Sequence, residues 1–316
     1  MKRTDLVAEP WGDYELVDSG GERKLERYGA VILIRPETQA LWTPAAPERW
    51  KEARAEFERN GEKGSWKKKG IPEAWELFWR DVRFKVRLTS FKHTGVFPEQ
   101  AANWEWIRAH AAALVGAGGP DVHGRESTRT SSDKSVQAAR RAPSVLNLFG
   151  YTGIASIAAA QAGARVTHVD ASPKSNAWAR ENAALSGIAA DGIRWITDDA
   201  LKFAEREARR GASYDGIILD PPAFGRGPKG EVWHIERDLT RLLAILEKLL
   251  ARKSGAFFLL NGYAAGYSPQ SFVQAVEGAF TARAEVSGKG EFGELAIAES
   301  AGGRVVPSGI YVRFVL

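Results

Sequence analysis

The sequence predicts an α/β protein, a doubly wound, mostly parallel sheet preceded by a smaller N-terminal mixed α+β domain. Two observations predict it. From residue 144 onward, apolar runs of strand length alternate with runs of helical period, the rhythm of a parallel sheet covered on both faces. The 316 residues also exceed one small domain and suit a large α/β domain with an appendage. The expected division is residues 1–95, a basic and Trp-rich N-terminal domain; 96–143, a connecting helix and mobile loop; and 144–316, the doubly wound domain.

In chain order, YGAVILI (28–34) and the alternating VRFKVRLTS (82–90) read as strands. Helices are expected between Pro47 and Asn60 and from about Gln100 to Val115. Residues 117–142, rich in Gly, Ser, Thr and Arg and without periodicity, read as a mobile loop or linker. The regular part then begins with strand 144–149, helix 154–163, strand 164–170 and a helix over 174–187 that ends at Gly187. It continues with strand 192–197, helix 199–210, strand 214–220, helix 235–253 and strand 255–262, and two further strands fit 294–299 and 310–315.

Composition narrows the chemistry. With no cysteine, the chain has no disulfide, no thiolate metal site and no Cys nucleophile; no metal site is expected. The charged N-terminus and the lack of any 18-residue apolar stretch predict a cytoplasmic protein with no membrane partner. The net charge of +5 is uneven: residues 63–92 hold nine Lys or Arg against three acids, leaving the remainder at −1. Eight of the eleven tryptophans fall within residues 1–106, either as a base-stacking surface or, more plainly, to fill the core of a small domain.

The strand ends hold the candidate site. The first strand runs into LNLFGYTG, where Gly150 and Gly153 open a helix and let a ligand approach its N-terminus. Only G-x-x-G is present, so a pyrophosphate cradle is not supported; glycine there also serves plain helix–strand packing. Asp170 ends the second strand, twenty residues after Gly150, where a carboxylate can accept from both hydroxyls of a ribose. Asp198-Asp199-Ala200 ends the third strand and either addresses an adenine edge or caps the next helix. The fourth strand ends in Asp220-Pro221-Pro222-Ala223-Phe224, whose two prolines hold the following loop rigidly over the sheet edge.

In this order and spacing, LNLFGYTG, HVDASPKSNAWARENAALSG, DDALKF and LDPPAFGRGPKGE resemble the successive motifs of class I S-adenosylmethionine-dependent methyltransferases, and more narrowly the bacterial 23S ribosomal RNA large-subunit methyltransferases. FKHTGVFPEQAANW (91–104) resembles the segment that precedes the cofactor domain in that group; residues 1–90 match more loosely. The resemblance implies a seven-stranded Rossmann-like methyltransferase sheet with S-adenosyl-L-methionine as cofactor. It implies that Phe149, Gly150 and Tyr151 surround the methionine portion, that Asp170 holds the ribose, and that Ala171 and Ser172 flank the adenine. Asp199 and Ala200 would read the adenine edge, Phe97 and Gln100 would close the pocket, and Asp220, Pro221, Pro222 and Phe224 would face the transferred methyl.

Two departures narrow the reaction. Carbon-5 methylation of pyrimidines needs a thiolate, which this chain lacks. Exocyclic-amine methyltransferases place an aromatic residue directly after Pro-Pro, whereas Ala223 intervenes here, so a ring nitrogen such as purine N7 is the more attractive acceptor. On the substrate side, Trp66 stands beside Lys67, Lys68 and Lys69, and Arg83, Lys85 and Arg87 alternate along one strand. That stripe either tracks an RNA backbone or is the solvated face of a half-buried strand. Arg226 and Lys229 lie in a Gly-rich loop suited to clamping a phosphate. The expected partner is RNA, 23S ribosomal RNA in particular; the alternative acceptors are a protein or a small molecule.

Overall fold

The computed structural model describes residues 1–60, 63–116, 142–263, 266–281, 286 and 290–316. Of the linker expected at 117–142, all but Ala142 lies outside the described residues.

The N-terminal portion is built from strands. After β1 (Lys2–Arg3) and β2 (Leu6–Ala8), a five-stranded sheet runs in the order β3 (Tyr14–Gly20), β4 (Arg23–Tyr28), β5 (Val31–Pro36), β6 (Ala55–Asn60) and β7 (Lys63–Lys68). A hairpin, β8 (Ala74–Trp79) and β9 (Val82–Arg87), follows it. The helix expected between Pro47 and Asn60 is a 3₁₀ segment, Pro47–Glu52, that turns extended at Ala53 and feeds β6. Its sequence offers no apolar stripe, and β6 gains parallel pairing with β5 and antiparallel pairing with β7 instead. The strand read at 28–34 is broken by a turn at Gly29 (φ +62°), with Tyr28 closing β4 and Val31 opening β5. Among the described residues before 95, the expected mixed α+β character is therefore corrected to β structure with one 3₁₀ segment.

A second 3₁₀ turn, Pro98–Gln100, leads into α1 (Ala101–Gly116). The regular half then follows as β10 (Ser144–Leu148), α2 (Ile154–Gln161), β11 (Arg165–Asp170), α3 (Pro173–Leu185), β12 (Ile193–Thr197), α4 (Ala200–Arg209) and β13 (Gly216–Leu219). After a short hairpin, β14 (Phe224–Arg226) and β15 (Val232–His234), come α5 (Ile235–Leu249), β16 (Phe257–Gly262), α6 (Pro269–Ala279), β17 (Glu291–Ala298) and β18 (Val305–Val315). The large sheet is ordered β17-β18-β16-β13-β10-β11-β12. Strand β18 alone runs antiparallel to its neighbours, which gives the seven expected strands their mostly parallel arrangement. Strands β1 and β2, assigned from sequence to the N-terminal domain, instead extend this sheet along β17.

Side chains alternate across the sheet as the pleat requires. Val145, Ile218 and Leu259 face α1 and α2, whereas Leu146, Leu148, Ile217, Leu219, Phe258 and Leu260 face α4, α5 and α6. The first core continues without a break into Tyr14, Leu16, Leu33, Leu77 and Phe84 of the N-terminal strands. Polar contacts reinforce that junction. The Lys85 backbone N–H donates to Asn182 Oδ1 (2.9 Å), the Arg83 N–H donates to Ser186 Oγ (2.9 Å), and Lys85 and Arg87 both pair with Glu181. The Arg87 guanidinium also lies 4.9 Å from the Trp178 ring centre. Lys85 and Arg87 of the β9 stripe, with the two backbone N–H groups, thus fasten the hairpin to α3 and its C-terminal turn and cover an otherwise open strand edge, while the Arg83 side chain stays exposed.

Candidate functional site

Sheet register builds the site. Leu148 of β10 pairs with Leu219 of β13 and with Val169 of β11, and Leu219 pairs with Leu260 of β16. The next residues, Asp170, Phe149, Asp220 and Asn261, therefore stand in a row along one carboxyl edge. The row spans the point between β10 and β13 where the strand order reverses, and open α/β sheets bind ligands at such a switch point.

The turn after β10 is strained. Phe149 (φ +57°) and Tyr151 (φ +50°) adopt the left-handed region, at roughly 1–2 kcal/mol each for side-chain-bearing residues, and Gly153 (φ +84°) starts α2. Gly150 has a separate reason to be glycine, because a Cβ there would run into the His168 ring. His168 is fully buried, its Nδ1 2.9 Å from Ser156 Oγ, which also accepts from Asn147 Nδ2. Burial, followed by the nearby Arg180 charge, pushes the imidazole down to about 3 and keeps it neutral. The turn is tied to β11 through Asp170, whose Oδ2 accepts from the Tyr151 N–H (2.9 Å) and Oδ1 from the Ser172 N–H (2.8 Å). Burial still raises the Asp170 carboxyl, while these two bonds oppose the rise.

Below the turn lies a cleft of about 520 Å³, open mouth included, lined by Phe97, Gln100, Phe149, Gly150, Tyr151 and Asp220, with Asn147 and Asn261 among its polar groups. The Phe97 and Tyr151 rings are 5.8 Å apart. An amide network supports the floor: Asn103 Nδ2 donates to Gln100 Oε1 (3.0 Å) and Asn261 Oδ1 (2.8 Å), and Arg313 Nη1 donates to Asn103 Oδ1 (3.0 Å). Among the described residues nothing donates a hydrogen bond to the Asp220 carboxylate. Burial first, and then the charge of Glu99, push it up from an ordinary 3.8 to about 7.

Of the residues expected from sequence, the structure brings Phe97, Gln100, Phe149, Gly150, Tyr151 and Asp220 to one cleft, with Asp170 adjoining it through Tyr151. Ala171, Ser172, Asp199 and Ala200 do not line it. They begin α3 and α4 farther along the same edge, where Ser172 and Asp199 cap the helices by accepting from the Ser175 and Lys202 N–H groups. Pro221 is buried, and Pro222 holds the hairpin by accepting from Trp233 Nε1 (2.7 Å). Phe224 (51% exposed) and Arg226 belong to β14, with Lys229 in the turn to β15. Lys67 and Lys68 end β7 and Lys69 follows it; none of the three lines the cleft, and Lys67 pairs with Glu58 at 2.5 Å. Sequence reasoning missed Asn147, Asn261 and Glu99, although each asparagine was visible as a polar residue near the end of an apolar strand.

A strained glycine turn, an acidic strand edge and a cleft at the switch point together define a nucleoside-cofactor enzyme of the doubly wound class. A profile of the S-adenosylmethionine-dependent methyltransferases matches residues 128–278. The crystal structure of a SAM-dependent methyltransferase from Agrobacterium tumefaciens is 39% identical with a TM-score of 0.81, covering 100% of this chain and 97% of that one. The chain belongs to the S-adenosylmethionine-dependent methyltransferase family. A methyltransferase solved in complex with SAH shares the fold at 18% identity and a TM-score of 0.66, over 93% of this chain and 72% of that one. Two proteins named ribosomal RNA large subunit methyltransferase K/L also match. That of Shewanella sp. (strain MR-4) is 41% identical over 127 residues, 37% of this chain and 17% of that protein. That of Shewanella frigidimarina is 31% identical over 182 residues, 57% of this chain and 21% of that protein. The chain thus spans about a fifth of the length of these curated relatives.

The lining suits the cofactor's chemistry. A sulfonium cation is favoured by the aromatic faces of Phe97 and Tyr151 and by the half-buried Asp220 carboxylate, which no described donor satisfies.

Proposed function

We propose that this protein transfers a methyl group from S-adenosylmethionine to a base of structured RNA, 23S ribosomal RNA in particular, by direct in-line displacement and without a cysteine nucleophile. One juxtaposition carries the reading. Asp220 lines the cleft, and the chain that leaves it forms the hairpin bearing the exposed Phe224 ring and, 6.0 Å from that ring's centre, the Arg226 guanidinium. An aromatic face and a cation beside the reacting edge suit an unstacked base and its phosphate. The ribosomal RNA methyltransferases that match part of this chain support the same acceptor.

In this reading Phe149, Gly150, Tyr151, Phe97 and Gln100 hold the methionine portion. Asp170, which spends one lone pair of each oxygen on backbone N–H groups, keeps capacity for the ribose hydroxyls. Ala171 and Ser172, with Asp199 and Ala200, flank the adenine. When bound, the cofactor supplies an activated methyl carbon and a neutral thioether leaving group. The chain's own work is alignment and exclusion of water. Phe224 stacks on the acceptor base, while Pro221 and Pro222 fix the loop that presents it. Asp220 orients the acceptor nitrogen and takes up the proton where that nitrogen carries one, so its ionised form is the working one. Lys67, Lys68, Lys69, Arg226 and Lys229 contact the RNA backbone.

The test is transfer of labelled methyl from S-adenosylmethionine into total RNA and intact ribosomal subunits from cells lacking the protein. Ribonuclease-sensitive label in a modified base is expected. Label only in protein or a small molecule refutes the RNA reading.

A further inference from the structure

The amides in the floor of the cofactor cleft have a fixed direction, and a residue outside the cleft fixes it. Arg313 of β18 is buried and held by its cross-strand neighbour on β17, Glu291, to which its Nε donates at 2.7 Å. The guanidinium also lies 5.2 Å from the Trp106 ring centre and 5.1 Å from that of Tyr311. From this seat its Nη1 donates to Asn103 Oδ1 (3.0 Å) in the first turn of α1.

A guanidinium carries N–H donors and no acceptor. Asn103, fully buried, must therefore turn its oxygen toward Arg313 and its NH2 group away. Both of those N–H bonds are then used, on Gln100 Oε1 (3.0 Å) and Asn261 Oδ1 (2.8 Å). With their oxygens taken, Gln100 and Asn261 have NH2 groups left for the cleft that they line, and no acceptor among the described residues occupies either one. Reversing any amide in this chain would set N–H against N–H, so the order from Arg313 outward has one solution.

Sheet parity places these donors. Asn261 stands two residues after Leu259, on the sheet face that looks toward α1 and α2, and Gln100 comes from the turn that opens α1. The two amides therefore meet side by side where floor and wall join. Among the described residues lining the cleft there is no Lys, Arg or His. A carboxylate taken into such a space meets no cation and depends on amide donors for its hydrogen bonds. The cofactor brings one carboxylate, that of its methionine portion. We infer that Arg313 and Asn103 are positioning residues that hold Gln100 and Asn261 as donors to this carboxylate, a role that rests on the placing of the methionine portion in this cleft. Neither Arg313 nor Asn103 lines the cleft. Together they make the site selective for a cofactor that retains its carboxylate.

Calorimetric binding of SAH and of decarboxylated SAH, which lacks only the carboxylate, tests this without turnover. The wild type should prefer SAH at least tenfold. Asn103→Asp offers acceptors only, so Gln100 and Asn261 should turn their NH2 groups to it and show the ligand their oxygens. SAH affinity should then fall at least tenfold, decarboxylated SAH should hold within twofold, and the preference should vanish. Arg313→Lys, still a donor without an acceptor, should keep the preference within threefold, whereas Arg313→Gln, which can present either end, should lose more than that. Gln100→Glu sets a negative charge in the cleft itself and should lose SAH selectively, whatever orders the amides. A selective loss in Gln100→Glu with the wild-type preference in Asn103→Asp and Arg313→Gln leaves the carboxylate at Gln100 and overturns the roles of Asn103 and Arg313. The wild-type preference in Gln100→Glu puts the methionine portion elsewhere and overturns that placing and the positioning role together. Equal loss of both ligands in Asn103→Asp makes the amide chain a support of the fold and also overturns it. If Arg313→Gln does not fold, Asn103→Asp and Arg313→Lys decide.

Discussion

Replacing Asp220 by Asn should stabilise the free protein and abolish its turnover, with a stability gain that depends on pH. The folded protein holds this carboxyl at about 7 rather than 3.8, chiefly through burial and secondarily through Glu99. For an acid whose folded value is raised, the sign is fixed. The penalty is absent below the ordinary carboxylate value, grows as pH rises from there, and is complete once pH passes the folded value. A difference of about three pH units corresponds to roughly 4 kcal/mol at full extent. Asn has nearly the same shape and no charge, so it escapes the penalty. Urea denaturation without cofactor should therefore place Asp220→Asn near wild type at low pH and above it at high pH. The gap should widen by roughly 2–3 kcal/mol between about pH 5 and about pH 8. Methyl transfer by the wild type should rise with pH through about 7 as Asp220 ionises, and the variant should be inactive while still binding SAH. A stability difference that is the same at both pH values refutes the buried-carboxylate argument. A fully active Asn variant refutes the assigned role.

Two further outcomes follow from the geometry. Gly150→Ala should cost roughly 1–3 kcal/mol, because its Cβ meets the buried His168 ring; combining it with His168→Ala in a double-mutant cycle should recover part of that cost, and additive effects in urea denaturation would count against the clash. Neutralising Lys68 and Lys69 should flatten the salt dependence of RNA binding by about 0.7–0.9 log units per lost phosphate contact. Neutralising Lys67, whose charge Glu58 already compensates, should change it less, as equilibrium binding across a salt series will report.

How much of this was legible in the sequence depended on what each strand touches. Strands β10, β13 and β16 are buried on both faces, so SVLNL, GIIL and FFLLNG read as continuous apolar runs and locate the sheet by themselves. Their ends located the Gly150 turn and Asp220 for the same reason, whereas Phe149 and Tyr151 were expected only from the family resemblance. Strand β4, RKLERY, shows no such run, because its core positions include Lys24 and Glu26. Glu26 is held in the interior by a two-pronged pair with Arg35 (2.6 and 2.7 Å) and by the Tyr14 hydroxyl (2.9 Å), and it lies well below the usual carboxylate range because Arg35 and Lys24 outweigh its burial. A buried ion pair is invisible to any apolar periodicity. Helix α6 was missed on a weaker signal, although Ser268 caps it by accepting from the Ser271 N–H and Pro269 opens it.

The β9 stripe shows where sequence reasoning reaches its limit. Alternating Arg83, Lys85 and Arg87 are the same pattern whether they face solvent, RNA or another element of the protein. The choice was made by Glu181 and Asn182 on α3 and by Ser186 just past its end, about a hundred residues downstream, which take up one ammonium, one guanidinium and two backbone N–H groups. The same docking explains why the N-terminal strands belong to the active site. Gly95, against which Trp178 packs too closely to admit a Cβ, and Thr152, whose hydroxyl donates to the Gly95 carbonyl at 2.6 Å, seat the segment that carries Phe97, Glu99 and Gln100 over the sheet edge. Loosening β9 from α3 should therefore disturb Phe97 and Glu99 before it disturbs Asp170 or Asp220, which the sheet itself holds.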